Sequence, residues 1–184
     1  MSDGRRADAR RNYARILAAA EEEVAAHGAN ASLEQIARVA NVGSATVRRH
    51  FPTRRALLEA VSAHRIEALC ARAVELTGEG DSGAALMDWL EDVVAYCVSA
   101  RGLAATLAYD GPVHENSCSA ALEKAGEPLL LGAARDGVVA PEVTVGDLIT
   151  LIVGIVLATE HHPDPAARAD RLFRLAVAGW GPRN

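Results

Sequence analysis

The chain has 184 residues, half of them hydrophobic and only 4% aromatic, with a formal net charge of −5. That apolar content supports a packed core and argues against intrinsic disorder, while scarce aromatics and the lack of strand-type alternation argue against a β-rich fold. The charge is uneven: residues 1–66 carry eleven arginines against seven acids, and residues 67–184 carry eight basic against seventeen acidic residues. A basic front on an acidic protein points to local contact with a polyanion, the alternative being a chance surface bias.

The opening MSDGRRADARR is charged and has no apolar centre, so it does not read as a signal peptide. Residues 1–9 are expected to form a mobile basic arm. Arg10 to His27 reads as a helix with Tyr13, Ile16, Leu17, Ala20 and Val24 on one stripe, ended by Gly28. Ser32 is placed to cap a second helix, and Gln35 three residues on predicts a capping box. Leu33, Ile36, Ala37 and Ala40 give that helix its apolar face. Asn41 follows, a residue that tolerates the left-handed backbone of a tight turn. A third helix spans Ser44 to Phe51, where Pro52 stops it, and Thr53 is placed to cap a long helix from Arg54 to about Leu76.

TGEGDSG at 77–83 is the clearest loop. Beyond it the pattern predicts helices over 84–100 and 103–109, then one over 113–135 distorted at Pro128. A connection follows at 136–143, then an apolar helix from Thr144 to about His161, and a last helix over 166–178 after Pro163 and Pro165. The longest apolar run, Leu148–Ala158, is too short to cross a bilayer, so no membrane partner is expected. Cys70, Cys97 and Cys118 are widely spaced and form no CxxC pair, which predicts neither a disulfide framework nor a zinc site and fits a reducing cytoplasm. The expected fold is all-α: a helix-turn-helix DNA-binding domain over 1–55 and a larger helical domain over 56–184.

The chemistry lies in the third helix. At 100° per residue, Val47 and Phe51 point inward, and Ala45, Thr46, Arg48 and Arg49 fill the opposite arc. Guanidiniums there can fork to guanine O6 and N7 or to phosphate, as a helix laid in the DNA major groove would require; otherwise they form a solvated face. Ala45 is small enough for close approach to the groove. Ser44, Thr46 and His50 flank the arc as candidate contacts, and Thr53 with Arg54 opens the next helix at a place suited to a phosphate. Arg5, Arg6, Arg10 and Arg11 are further candidates for the DNA backbone or minor groove.

Residues 10–60 resemble the N-terminal domain of the TetR family of transcriptional regulators. The family run is close to AGVSxxTLYRHFPSREAL, and this chain has ANVGSATVRRHFPTRRAL at 40–57. The remainder is similar in length and helical content, with ARGLAATL at 100–107 near a family pattern KRGLAAxL. Three positions depart: Arg48 replaces a tyrosine, Asn41 a turn glycine, and Gly43 the serine that usually caps the third helix.

The resemblance implies a homodimer whose C-terminal helices pair as a four-helix bundle. Leu151, Gly154, Ile155, Ala158, Leu172, Leu175 and Ala176 are the interface candidates. It also implies a small-molecule effector in the second domain, with Trp89, Tyr96, Thr106, Tyr109, His114 and Cys118 as candidate contacts, and the apolar surroundings suggest an apolar or aromatic ligand. His114 and Cys118 have the i, i+4 spacing of metal ligands but lack a third partner, so neither metal nor cofactor is expected. No P-loop, GxSxG or GxGxxG is present, and no enzyme is expected. The implied function is a ligand-responsive regulator, a repressor released from a palindromic operator by a small molecule. The alternative is a helical small-molecule-binding or interaction protein whose DNA-binding head has lost sequence-specific function.

Overall fold

The computed structural model describes the backbone of residues 2–78, 80–108 and 115–178, and the side chains of these except 2–7, 29, 101–108 and 115–118. Its α-helices are, in order, α1 (Ser2–His27), α2 (Leu33–Val39), α3 (Ser44–His50), α4 (Arg54–Leu76), α5 (Ser82–Ala108), α6 (Glu115–Arg135), α7 (Val145–Ala158) and α8 (Pro165–Val177). The described residues contain no strand, and none of their helices is long and apolar enough to cross a membrane. Two compact units result. The first holds Met1–His64 and, from Gly102, the end of α5; the second holds Arg65–Arg101 and His114–Asn184. This division at residues 64 and 65 and the expected one at 55 and 56 both fall inside α4, which supplies residues to each unit.

Three elements differ from expectation. The segment 2–9 is not an arm but the start of α1; it is rich in arginine and alanine, both strong helix formers, and Arg11 pairs with Asp8 one turn before it. The helices expected over 84–100 and 103–109 are one helix, α5. Gly102 disfavours helix by only about 1 kcal/mol, too little to break so long an alanine-rich run. Finally, α7 ends at Ala158 instead of near His161, where Thr159 turns its hydroxyl back onto the Ile155 and Val156 carbonyls.

The first unit closes over Ile16, Leu17, Ala20, Val24, Ile36, Ala37, Val47, Phe51, Leu57, Leu58 and Val61, all buried. These are the inward stripes of α1 to α4, so the core follows helical periodicity. Among the described residues of the second unit the largest fully buried side chain is Trp89 of α5. Its indole N–H donates to the Leu69 carbonyl at 3.0 Å, and Gly126 of α6 lies under its ring. Two helix starts there are capped by side chains. Thr144 and Asp147 form a reciprocal capping box on α7, and Asp164 caps α8, with Pro165 in the first turn.

Candidate nucleic-acid interface

The turn between α2 and α3 is defined by backbone bonds. Asn41 is left-handed at φ 51°, its N–H donates to the Arg38 carbonyl at 3.1 Å, and the Val42 N–H donates to Ala37 at 3.0 Å. That pair of bonds is a Schellman motif, which satisfies the last carbonyls of α2 while reversing the chain. Arg15 of α1 adds a guanidinium on the Ala40 carbonyl, with a longer 3.5 Å contact to Asn41. A cation at a helix C-terminus is favourably placed against the dipole. The α2 start is tied as well. Ser32 Oγ accepts the Gln35 N–H at 3.2 Å, but the reciprocal bond of the expected capping box is absent. Glu23 of α1 takes the Ser32 N–H at 3.1 Å, and the Gln35 side chain binds Arg38.

Held this way, α3 turns one face inward. Val47 is fully buried and Phe51, its C-cap, nearly so, while Ser44, Ala45, Arg48 and Arg49 are exposed. Thr46 and His50 are half-buried. The His50 ring meets Tyr13 of α1 edge-on, with centroids 5.8 Å apart, and Tyr13 in turn packs on Phe51 at 5.4 Å. Gly43 caps α3 with no side-chain bond, and Thr53 Oγ1 accepts the Ala56 N–H at 3.0 Å to start α4, as its position predicts.

The arginines around this face differ in their engagements. Arg54, expected at a phosphate, donates to the Ala31 carbonyl at 3.2 Å and so helps close the α1–α2 connection. Arg55 pairs with Glu59 at 2.8 Å. Arg48 reaches across to Glu34 of α2 at 3.2 Å. Arg49 has no protein partner among the described residues. Tyr13, Arg15, Glu23 and Glu34 are site-supporting residues that sequence reasoning did not assign. The signal available was an acid in the first turn of α2 and polar residues beside the α1 stripe, neither of which names a partner.

In the second unit, Tyr96 lines an open groove of about 610 Å³ between α4 and α5, with Arg65, Leu69, Arg72, Asp92 and Ser99. Its polar groups engage one another: Arg65 donates to the Ser99 hydroxyl at 2.9 Å, and Arg72 lies 3.5 Å from Glu75 and 3.8 Å from Asp92. Trp89, expected on a cavity wall, is instead in the core with its N–H satisfied. A side chain this large and apolar gains most by complete burial. The side chains of Thr106 and Cys118, and all of Tyr109 and His114, lie outside the described residues. Cys97 is half-buried, and burial pushes its thiol up to about 11. Among the described residues, no three metal-ligating side chains converge.

The helix α7 buries Val145, Leu148, Ile149, Ile152 and Val156 on one side. Its other side is also apolar: Val153, Gly154, Leu157 and Ala158 are exposed, as is Leu175 of α8. Leu151, Ile155, Leu172 and Ala176 are half-buried beside them.

Known proteins share both halves. Residues 16–61 match the family model described as bacterial regulatory proteins, tetR family, and residues 81–182 match the model of the C-terminal domain of SbtR-like transcriptional regulators. The crystal structure of the TetR transcriptional regulator SCO0520 from Streptomyces coelicolor is 32% identical, covers 92% of this chain and 98% of its own, and superposes with a TM-score of 0.78. A TetR transcription regulatory protein from Mycobacterium vanbaalenii is also 32% identical, over 96% of this chain and 99% of its own, with a TM-score of 0.74. A gamma-butyrolactone receptor shares the fold at 21% identity, 95% and 90% coverage and a TM-score of 0.58. No curated protein matches the chain.

Proposed function

The chain belongs to the TetR family of bacterial transcriptional regulators, and on that footing we propose that it is a cytoplasmic homodimer that represses transcription from a palindromic operator and is released by a small molecule bound in its second unit. The observation that carries this reading is α3: a short helix anchored by Val47 and Phe51, with Ala45, Arg48 and Arg49 outward. Small and forked cationic side chains on one exposed arc suit the major groove of double-stranded DNA. Ser44, Thr46, His50 and Thr53 border that arc and are proposed as backbone or edge contacts. Arg54 is assigned a lesser share, because the Ala31 carbonyl already engages it.

Two-fold pairing is supported by the apolar outer side of α7 and the exposed Leu175, surfaces that a lone protomer would leave in water. For the effector, the Tyr96 groove offers an aromatic ring and alanine and leucine walls beside polar groups that already engage one another, which suits an apolar or aromatic body. Release would be a population shift: the ligand favours a conformation that fits the operator less well, by as much as its own differential affinity. Binding, not catalysis, is the role assigned.

Affinity for mixed-sequence duplex DNA measured across a salt series tests the reading. A steep fall with salt is expected, because each neutralised phosphate releases counterions. Salt-independent or absent binding by a folded protein would instead favour a helical small-molecule binder with an inactive head.

A further inference from the structure

Arg48 and Arg49 are neighbours on α3, yet they stand in different electrostatic situations. The Arg48 guanidinium lies 3.2 Å from the Glu34 carboxylate of α2, and both side chains are about two-thirds exposed, at 64% and 68%. Arg49 makes no hydrogen bond or ion pair with the described residues. Exposed pairs of this kind contribute little to stability. The Glu34–Arg48 pair therefore does little for folding, and its consequence is where it leaves Arg48.

We infer that Glu34 is a specificity-determining residue of the DNA interface, acting by holding Arg48 and not by touching DNA. The inference rests on the DNA-binding reading above. The bond uses Nη2 of Arg48. A guanidinium has five N–H donors, so one edge engaged by a carboxylate leaves others for a base edge, with the long side chain biased toward one orientation. The carboxylate also offsets part of the charge of Arg48. An uncompensated arginine neutralises any phosphate it reaches, which adds affinity without sequence information. Holding Arg48 thus lowers binding to arbitrary sequence and preorganises binding to the right base, and both effects widen discrimination. Arg49 supplies the uncompensated charge of the pair.

The test compares wild type, Glu34→Gln, Arg48→Ala and the double variant. Each is used to select duplexes from a random-sequence pool, and each is titrated with one fixed mixed-sequence duplex across a potassium chloride series. Glu34→Gln is expected to bind the mixed duplex several-fold more tightly, with a salt slope steeper by up to about one. It should lose base preference at the positions where Arg48→Ala loses it. In the Arg48→Ala background, Glu34→Gln should leave base preference unchanged. Unaltered preference in Glu34→Gln, or an equal effect with and without Arg48, overturns the inference. Glu34→Ser, which also suits the first turn of a helix, gives the same readout if glutamine perturbs α2. A wild-type protein that selects nothing and binds no duplex overturns the DNA-binding reading and this inference with it.

Discussion

Arg49 shows how one side chain is left available for recognition. Val47, two positions before it, is buried, Arg48 is held by Glu34, and His50 leans on Tyr13. Replacing Arg49 by alanine should therefore leave melting unchanged while weakening duplex binding by about 1–3 kcal/mol, or roughly fivefold to 150-fold. Titration of both proteins with one duplex checks this, and equal affinities would remove Arg49 from the contact face. Asp147 behaves oppositely, as a residue whose charge serves the fold. Hydrogen bonds from the Thr144 hydroxyl and N–H hold its carboxyl below the usual range. Its stabilising contribution should be complete above the ordinary aspartate pKa and fade as pH falls through the lowered value. Asp147→Asn should remove that part of the acid sensitivity; an acid-melting profile superimposable on wild type would show that the cap is idle.

Among helices, the contact of α5 with α6 is the least forgiving. A Cβ added at Gly126 would lie 2.4 Å from the Trp89 ring. Gly126→Ala should lower stability by about 1–3 kcal/mol, the usual range for overpacking, despite the better helix propensity of alanine. Denaturant unfolding reads this directly, and a gain in stability would mean that the ring gives way. Sequence periodicity could not identify this pair, because a glycine inside a helix reads only as a propensity defect. Much else about the helices was legible. Asn41 announced the left-handed turn, Thr53 the start of α4, and Val47 and Phe51 the buried side of α3, since each depends on near neighbours in the chain. What stayed hidden was tertiary: Arg15 on the α2 terminus, Glu23 taking the bond assigned to Gln35, Arg54 drawn to Ala31, and Glu34 opposite Arg48. In each case a long flexible side chain chose between solvent and a partner that only the fold brings near. The supposed arm and the break before Leu103 failed for another reason. Weak local signals, a charged end and one glycine, were outweighed by helix-forming neighbours.

For the protein as a whole, the outer side of α7 is the feature a monomer explains least. Gly154 is exposed, and a Cβ there would meet nothing within 4 Å among the described residues. Glycine inside a helix is less stable than alanine by roughly 0.5–1 kcal/mol, so within one protomer larger residues at 154 should be tolerated or stabilising. If α7 packs closely against its counterpart, Gly154→Leu should instead weaken the dimer while leaving the helical signal intact. Sedimentation over a concentration series distinguishes these outcomes, and an undisturbed dimer would contradict the proposed interface. Leu157→Glu is a cleaner companion than a charge at Ile155, because Leu157 is exposed whereas Ile155 also packs on the core of its own protomer. The apolar character of both sides of α7 was evident in sequence, but which side met the protomer core was not.

A two-fold regulator that reads DNA through α3 must prefer a two-fold symmetric sequence. The most direct measurement is selection of duplexes from a random pool by the intact protein at near-physiological salt, followed by sequencing of the bound fraction. An enriched palindrome or near-palindrome is expected, its half-site centres about one helical turn or a multiple apart, and its enrichment lost with Arg49→Ala. A folded, dimeric protein that enriches no sequence, or one that enriches the same sequence without Arg49, would contradict it.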